Sequence, residues 1–510
     1  MKAISFLSVF VSIFISAQQN VVIQTGTPTE PTIAISPINP NIVVAASNID
    51  NYYYSTNGGL NWTKKTLSST YGVWGDPVMV FDKTGNLFFV HLSNPPAPGN
   101  WIDRIVVQKS IDGGSTYNNG SFTGLNGTKA QDKAWLAADS NNNLYVTWTQ
   151  FDVYGSFNPN DKSVIMFSKS IDGGVSWSNP LKINSVDGDC VDSDNTVEGA
   201  VPAIGPNDEI YVSWAGPAGL VFNRSLNGGN TWLTNDIKID DIPGGWDFPI
   251  PGLDRSNGLP ITACDVSNGA NRGTIYVNWC DQRNGTNNTD VFLSKSTDGG
   301  NTWSSPVKVN NDNSGKHQFL TWMTIDQDNG NLYFVFYDRR SYNDNRTDVY
   351  LAKSTDGGET FINMKINDTT FTPNAGIFFG DYTNIAVKNG IIHPIWGDQL
   401  NGNSRIITAT INDNQILQTA ETAINNDISF YPNPVVNEVF ISYKLHDQSS
   451  VEINIYDISG KKIEQILNEN QGYGKYIQKI DIEHLKLPKG NYLCELKINN
   501  EVKKSMKFIK

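Results

Sequence analysis

An eight-residue pattern recurs six times along this chain of 510 residues. It begins with Ser, carries Asp or Asn at its third position and Gly-Gly at the next two, and ends on an aromatic residue. Successive copies start 55 to 71 residues apart, so the region from about 30 to 412 is predicted to repeat one supersecondary unit. The copies are STNGGLNW, SIDGGSTY, SIDGGVSW, SLNGGNTW, STDGGNTW and STDGGETF, which begin at Ser55, Ser110, Ser170, Ser225, Ser296 and Ser354.

The residue types of this octet suit a tight turn between two strands. Ser, Asp and Asn side chains bond to nearby backbone groups, paired glycines adopt positive φ without strain, and the closing aromatic ring covers the turn. Because the same carboxylates recur in the same local setting, we interpret them as structural and not catalytic. These structural positions are Ser55, Asn57, Asp112, Asp172, Asn227, Asp298 and Asp356.

A second signature precedes each octet: an apolar strand, a polar turn and another apolar strand, as in 134–148 and 322–337. A seventh copy, at 383–396, has no octet. Each unit then holds four strands, A to D, with the octet between C and D. Seven such units predict an all-β fold, a β-propeller of seven blades, with six blades as the alternative if one unit is incomplete. Residues 21–24 are predicted to add an outer strand that closes the ring.

The composition excludes other fold classes. Aromatic residues make up 11% of the chain, Gly accounts for 44 residues and charged residues for only 17%. A disordered chain is poor in aromatics, and a coiled coil is rich in Ala, Glu, Lys and Leu. The net charge of −13 argues against a general nucleic-acid binder, because phosphate contacts need Lys and Arg.

The octet is similar to the Asp-box of the bacterial neuraminidase repeat. The region from 18 to 415 therefore resembles the Asp-box β-propellers, the sialidases among them. The resemblance implies a propeller, and it implies no single activity, because one fold hosts many functions.

The first 17 residues have the pattern of a secretory signal. Lys2 precedes an apolar run from Ile4 to Ile15, and the small residues Ser16 and Ala17 end it. We predict a signal peptide over 1–17, with cleavage after Ala17. No other apolar run approaches the length of a transmembrane helix, so no membrane span is predicted for the mature chain.

The last 84 residues, 427–510, are predicted to form a small β-sandwich of short alternating strands after a linker at 416–426. This segment resembles the C-terminal sorting domain of the type IX secretion system of the Bacteroidetes. The resemblance implies recognition by the secretion machinery and a secreted or cell-surface location; an ordinary adhesive sandwich is the alternative. The matching residues are Tyr431-Pro432-Asn433-Pro434, Ile455-Tyr456-Asp457 with Gly460-Lys461, Gly490-Asn491-Tyr492 and Lys507-Phe508-Ile509-Lys510.

Strand direction in each blade places the D–A and B–C loops on the face opposite the octets. Loops on a rigid scaffold carry function, and the central funnel of a propeller is a concave site. We therefore expect the binding site among the polar residues of these loops. At the openings of the A strands they are Glu30, Asp76, Asp132, Lys133, Glu198, Asp381 and Tyr382; after the B strands they are Asp281, Arg283, Asp338, Arg339, Arg340 and Asp398.

Two interpretations of these residues remain open. The sialidase resemblance implies Tyr382 as nucleophile, Glu198 as its base and Asp76 as acid. It also implies a substrate-binding group, in which arginines hold a carboxylate; its residues are Arg283, Arg339, Arg340, Asp281, Asp338, Asp381 and Asp398. The sequence departs from that family because no arginine precedes Arg104, so the first arginine of the sialidase clamp is missing. In the structural interpretation the Asp–Arg pairs are ion pairs and hydrogen bonds between neighbouring blades that order the B–C loops.

No cofactor is predicted to be required, and Ca²⁺ is the one candidate. The loop 185–196 carries four Asp around Gly188, and carboxylate oxygens on a flexible loop are ligands that calcium accepts. The candidate ligands are Asp187, Asp189, Asp192 and Asp194, with a solvated acidic turn as the alternative.

Together these features predict an exported propeller that recognises or processes extracellular carbohydrate. A sialidase-like glycoside hydrolase is the enzymatic alternative, and a polysaccharide lyase shares the same funnel. A non-catalytic glycan-binding or adhesion propeller is the rival from another class. The expected partners are an extracellular glycan or glycoconjugate and the type IX machinery.

Overall fold

The structure is a computed structural model that describes residues 20–96, 101–414, 416, 429–431, 438–445, 448–457, 461–485, 487–488, 490–499 and 501–509. The chain divides into two compact units, Met1–Asp413 and Asn414–Lys510. The predicted signal peptide and the turn cluster at 432–434 lie outside the described residues. Within the described ranges, no helix has the length and apolar character that a membrane span requires.

Seven antiparallel sheets make up the described part of the first unit, and six of them consist of four strands in chain order. The described residues begin with β1 (Asn20–Gly26). The six sheets are β2 (Thr32–Ile35), β3 (Val43–Ser47), β4 (Asn51–Ser55), β5 (Thr63–Thr66); β6 (Gly75–Phe81), β7 (Leu87–Leu92), β8 (Ile105–Ser110), β9 (Ser121–Thr123); β10 (Ala130–Ala138), β11 (Leu144–Phe151), β12 (Ser163–Ser170), β13 (Leu181–Lys182); β14 (Glu198–Ile204), β15 (Ile210–Gly216), β16 (Gly219–Ser225), β17 (Ile237–Asp240); β18 (Ile261–Cys264), β19 (Ile275–Asp281), β20 (Asp290–Ser296), β21 (Val307–Lys308); and β22 (Gln318–Asp326), β23 (Asn331–Asp338), β24 (Asp348–Ser354), β25 (Ile362–Lys365).

The seventh sheet combines both ends of the unit. It contains β26 (Asn384–Lys388), β27 (Ile391–Leu400) and β28 (Asn403–Ala409), with the short β29 (Ile411–Asn412) beside β27. Strand β1 pairs antiparallel with β28 and supplies the fourth strand, as expected for residues 21–24. The first strands contact one another around a closed ring, from β2 through β6, β10, β14, β18, β22 and β26 back to β2. The first unit is therefore the all-β propeller that the repeat predicts.

The second strand of each sheet is buried on both faces, because every sheet packs between two others. All residues of β15 and β11 are buried, for example. In the second half of four second strands an indole is fully enclosed, and burying such a ring stabilises the fold by about 3 kcal/mol. These residues are Trp148, Trp214, Trp279 and Trp396.

Each octet closes the turn after a third strand, which ends at the octet Ser. In the third sheet, Ser170 Oγ donates to Asp172 Oδ1 at 2.7 Å and accepts from Gly174 N at 2.9 Å. Asp172 Oδ1 also accepts from Ser176 N at 3.0 Å. The other five octets have the same Ser–Asp or Ser–Asn bond and the same bond from the second glycine. These side chains are thereby committed to the turns.

Replacing Asp172 with Ala is expected to lower the free energy of unfolding by about 1 kcal/mol, because the acceptor of several turn hydrogen bonds is lost. Chemical denaturation measures the change. Asp172→Asn is the matched control and should cost less, since Asn57 and Asn227 hold the same position in two other octets. Equal midpoints for the Ala variant and the wild type would contradict a structural role for the octet.

The second unit contains two antiparallel sheets. One consists of β30 (Ser429–Tyr431), β31 (Glu438–Leu445) and β34 (Gly474–Asp481). The other has the order β33 (Lys462–Gln471), β32 (Ser449–Asp457), β35 (Asn491–Ile498) and β36 (Glu501–Ile509). Alternate residues of both sheets share one buried hydrophobic cluster, so the unit is a small β-sandwich. Its members include Val439, Ile441, Val451, Ile453, Ile455, Leu496 and Phe508.

Candidate functional site

A cavity of about 660 Å³ lies at the openings of the propeller's first strands. Its lining comes from the segments before these strands and from the loops after the second strands, the two classes of loop that the sequence favours. Carboxylates dominate its polar lining: Glu30, Asp50, Asp76, Asp132, Asp192, Glu198, Asp247 and Asp381. Aromatic rings provide much of the rest: Trp74, Trp101, Tyr154, Trp246 and Phe378.

β-Bulges at the starts of the first strands direct these side chains to the cavity. The register of β10 against β11 shifts between Asp132 and Trp135, and β6, β14 and β22 have the same irregularity. The residue that lies two positions before the regularly paired part of the first strand has a positive φ angle. This angle is 47° at Lys133, 50° at Asp76 and 54° at Glu30. Successive side chains of a regular strand face opposite ways, whereas the bulge lets both Asp132 and Lys133 line the cavity.

Asp381 is the centre of an ion-pair network. Its carboxylate accepts bonds from Arg255 Nε at 2.7 Å and Arg255 Nη2 at 2.5 Å, and it also accepts one from Lys133 Nζ. Burial alone would raise the pKa of Asp381, but the two cations lower this pKa to about 2. Asp381 is therefore ionised at any physiological pH, and both of its oxygens are engaged.

Lys133 links this network to two further carboxylates. Its Nζ lies 3.4 Å from Asp76 Oδ2 and 3.9 Å from Glu30 Oε1. Asn48 joins the same two residues, since its Nδ2 donates to Glu30 and its Oδ1 accepts from Asp76 N at 2.7 Å. Burial, followed by repulsion from Asp76 and Asp381, raises the pKa of Glu30 well above its ordinary value.

Glu198 and Asp132 form no salt bridge within the described residues, and Lys133 only partly offsets the effects that raise their pKa values. Glu198 is 1% exposed, and its Oε1 has no hydrogen-bond partner among the described residues. Burial and then repulsion from Asp192 raise the pKa of Glu198 well above its ordinary value. Burial and then Asp76 raise the pKa of Asp132 to about 7. Both groups therefore retain protons in a pH range where ordinary carboxyls have lost them.

Tyr382 lies beside the main cavity, where it lines a smaller space of about 30 Å³. Its ring centroid is 5.4 Å from that of Trp135 and 6.2 Å from that of Trp322. The hydroxyl has no hydrogen-bond partner in the described part of the chain. Burial, followed by repulsion from Asp76 and Glu30, raises the pKa of Tyr382 well above its ordinary value. Of the predicted catalytic trio, Glu198 and Asp76 line the main cavity and Tyr382 adjoins it.

The arginines of the loops after the second strands are not among the residues that line this cavity, and they have local partners. Arg283 Nη2 lies 2.5 Å from Asp281 and 2.9 Å from Asp240, and Arg340 Nη2 lies 2.7 Å from Asp338. These contacts match the structural interpretation of the Asp–Arg pairs.

Two further residues of the predicted substrate-binding group are also engaged elsewhere. Arg339 donates to Thr347 Oγ1 at 3.0 Å and to the carbonyl of Pro251 at 2.7 Å. Asp398 pairs with Arg405 at 2.5 Å. Of that predicted group, the structure brings Asp381 alone into the described cavity lining.

The four candidate calcium ligands have separate partners. Asp187 pairs with Lys182, Asp192 accepts from Tyr154 Oη at 2.6 Å, and Asp194 Oδ1 accepts from Asp247 N at 2.8 Å. Asp189 Oδ1 accepts from Val191 N at 3.2 Å. Among the residues that the structure describes, no three His, Cys, Asp or Glu side chains lie close enough together to hold a metal ion. Calcium binding by this loop stays a prediction.

Sequence reasoning missed several lining residues, including Arg255, Asn48 and the aromatic rings. Arg255 belongs to the segment before β18, which is the class of loop that the repeat marks as functional. Arginine is a rare residue type in the propeller, so an arginine in such a loop is a usable signal. Trp74 comes two residues before Asp76, so its proximity to the site follows from the same alignment. Trp101 and Tyr154 lie in irregular loops after second strands, where the repeat offers no register.

Residues 429–510 match the family model described as the secretion system C-terminal sorting domain. This domain indicates that the protein is secreted or displayed at the cell surface. Comparison with curated proteins gives no match.

Three solved structures illustrate what most of the chain is similar to. A protein of unknown function from Dyadobacter fermentans shares 11% identity at a TM-score of 0.43, over 77% of this chain and 97% of that one. An ulvan lyase of polysaccharide lyase family PL25 shares 13% at 0.47, over 78% and 96%. Trypanosoma rangeli sialidase in complex with sialic acid shares 11% at 0.44, over 87% and 85%. Similarities this distant assign no activity to this chain.

Proposed function

We propose that this protein is an exported β-propeller that binds and hydrolyses extracellular carbohydrate in its central cavity. The observation that carries the proposal is that one cavity holds both Glu198 and Asp132, two buried carboxyl groups with raised pKa values. Their strands, β14 and β10, are in contact. Aromatic rings in the same lining suit the apolar faces of sugars, as in other small-molecule sites.

Glycoside hydrolysis needs one carboxyl group that donates a proton and a second that acts as base or nucleophile. Glu198 fits the donor, because it lines the cavity, its buried Oε1 has no hydrogen-bond partner among the described residues, and its raised pKa keeps it protonated. Asp132 fits the base, because a pKa of about 7 lets it take up and release a proton near neutral pH. In this scheme Glu198 protonates the leaving oxygen and Asp132 activates water.

The charge of the cavity favours neutral or cationic sugars over sialic acid. In the described lining, eight carboxyl residues face two cations, Lys133 and Arg255, and both cations are bound to Asp381. A sugar carboxylate there would meet repulsion without a free guanidinium. A sialidase-like version, with Tyr382 as nucleophile, Glu198 as base and Asp76 as acid, requires the tyrosine hydroxyl to ionise, which its raised pKa opposes.

Glycan binding without cleavage is the second candidate. Both oxygens of Asp381 accept bonds from Arg255, and Tyr382 lines the smaller space beside the main cavity. Neither side chain is therefore placed to act as a nucleophile towards a sugar in the main cavity. A binding propeller needs no such group. The two candidates share the ligand and differ in turnover.

Hydrolysis of fluorogenic glycosides of neutral, amino and sialyl sugars, measured for the wild type and its variants, distinguishes these functions. Glu198→Gln is expected to lose cleavage, whereas Tyr382→Phe and Asp344→Asn keep it; Asp344 is an exposed carboxylate outside the cavity. Cleavage that survives in Glu198→Gln contradicts the proposed donor. Sialoside cleavage that Tyr382→Phe abolishes supports the sialidase-like version. Glycan binding without any turnover supports the second candidate.

A further inference from the structure

Two tryptophans in the cavity lining are unusually exposed. Trp74 is 42% and Trp101 is 43% exposed, although large aromatic rings usually contribute to a protein core. Their ring centroids lie 5.4 Å apart with planes inclined by 46°, so they form one continuous aromatic surface. The edge of Tyr154 contacts Trp101 at a centroid distance of 5.5 Å and extends this surface.

The backbone holds both tryptophans close to the carboxyl groups. Trp74 N donates to the carbonyl of Leu92 at 2.9 Å, and Asp76 follows two residues later. Beside Trp101, Ile102 N donates to the carbonyl of Ser93 at 2.8 Å, and the carbonyl of Ile102 accepts from Gln131 N at 2.7 Å. Gln131 directly precedes Asp132. The aromatic surface is therefore fixed relative to the proposed base before any ligand binds, which reduces the entropy cost of binding.

Tyr154 is fixed by contacts at both ends of its side chain. Its hydroxyl donates to Asp192 Oδ2 at 2.6 Å, and its ring contacts Phe151 at a centroid distance of 4.8 Å. Tyr154 therefore holds its end of the aromatic surface in place, while Trp74 and Trp101 remain 42% and 43% exposed. An exposed apolar surface that continues from a polar cavity marks a place where a ligand extends out of that cavity.

We propose that Trp74 and Trp101 form a second sugar-binding subsite, and that the protein acts on a glycan chain of at least two sugars. The inference rests on the proposed function: one sugar occupies the cavity beside Asp132 and Glu198, and the next lies on the tryptophan surface. The C–H groups of a pyranose face pack on an indole, and the nearby carboxyls accept bonds from its hydroxyls. This arrangement selects chains over single terminal sugars.

An array of neutral oligosaccharides, graded from one to six sugars, tests this subsite. The wild type is expected to bind chains of two or more sugars about tenfold more tightly than the matching monosaccharides. In Trp74→Ala and Trp101→Ala that ratio should fall close to one. Phe157→Ala is the matched control, because this ring is 85% exposed in the loop that carries Tyr154 and does not belong to the cavity lining.

Different outcomes would contradict the tryptophan subsite and the proposed carbohydrate function. A chain-length ratio that is unchanged in both tryptophan variants overturns the subsite, and so does a wild type with no preference for chains. Neither result affects catalysis at Glu198 and Asp132. If no sugar on the array or in the fluorogenic panel binds or is cleaved, the proposed function fails and the subsite fails with it. Thermal unfolding of each variant shows whether a loss reflects misfolding.

Discussion

Asp381→Asn is expected to lower the free energy of unfolding by about 3 kcal/mol or more, because Lys133 and Arg255 lose the negative charge that they share. The side chain of Lys133 is only 11% exposed, and in the variant its remaining partners are Asp76 and Glu30 at longer distances. Arg255 loses its bidentate bond in the same step. A buried charge without its partner is costly, whereas a neutral pair of similar shape is tolerated.

Urea unfolding of the variants measures this effect. Asp344→Asn is the matched control, because Asp344 also pairs with an arginine, but both side chains are more than half exposed; it should change stability by less than about 0.5 kcal/mol. The double variant Lys133→Met with Asp381→Asn should recover part of the loss. If Asp381→Asn is no more destabilised than the control, the network does not contribute to stability as described.

Glu198→Gln and Asp132→Asn are expected to lose cleavage by about 100-fold or more and yet to gain stability at pH 8. A carboxyl whose folded pKa is raised binds more protons when folded than when unfolded. The folded state is therefore favoured below the ordinary pKa, near 4, and this contribution falls as the pH rises through the folded value, about 7 for Asp132. In Asp132→Asn the amide removes the penalty, with a gain on the order of 2 kcal/mol at pH 8, and Glu198→Gln is expected to change the stability in the same direction.

Thermal unfolding between pH 5 and pH 8 tests the sign of this effect. The melting temperature of the wild type should fall across this range, and each amide variant should flatten the fall. Asp172→Asn is the control, because the pKa of Asp172 is lowered instead of raised, and this variant should leave the slope between pH 5 and pH 8 unchanged. Hydrogen bonds from Ser176 and Ser170 lower the pKa of Asp172 to about 2, so its contribution is lost only in acid, as the pH falls from about 4 towards 2. A wild-type melting temperature that rises from pH 5 to pH 8 would contradict the raised pKa values.

The repeat made much of the fold predictable, because turn chemistry is local. Each octet carries its own hydrogen-bonding groups, so its place after a third strand follows from the sequence. The same alignment identified Glu30, Asp76, Glu198 and Asp381, which the structure brings together in one cavity. Where site residues occupy equivalent positions in successive units, sequence alone can locate them.

The sequence left two interpretations of the arginines open, because an arginine in a loop has several possible carboxylate partners within reach. Asp281 and Asp338 each lie two residues before an arginine and bind it back along its own loop. The β-bulges were equally hidden, since a shift of one residue in strand register leaves no mark on the pattern of apolar residues. Arg255 lies in a segment before a first strand and Trp101 in an irregular loop after a second strand, and the repeat fixes no exact position for either residue.

Strand β1 closes the ring, because the first strand along the chain belongs to the last sheet and not to the first. Asn20 lies opposite Ala409 in the seventh sheet, so both ends of the propeller sequence meet there. A short linker across this gap, with new ends between two other sheets, would preserve every strand pair. The propeller is therefore a natural candidate for circular permutation, and moving its ends would show which junction the folding chain needs intact.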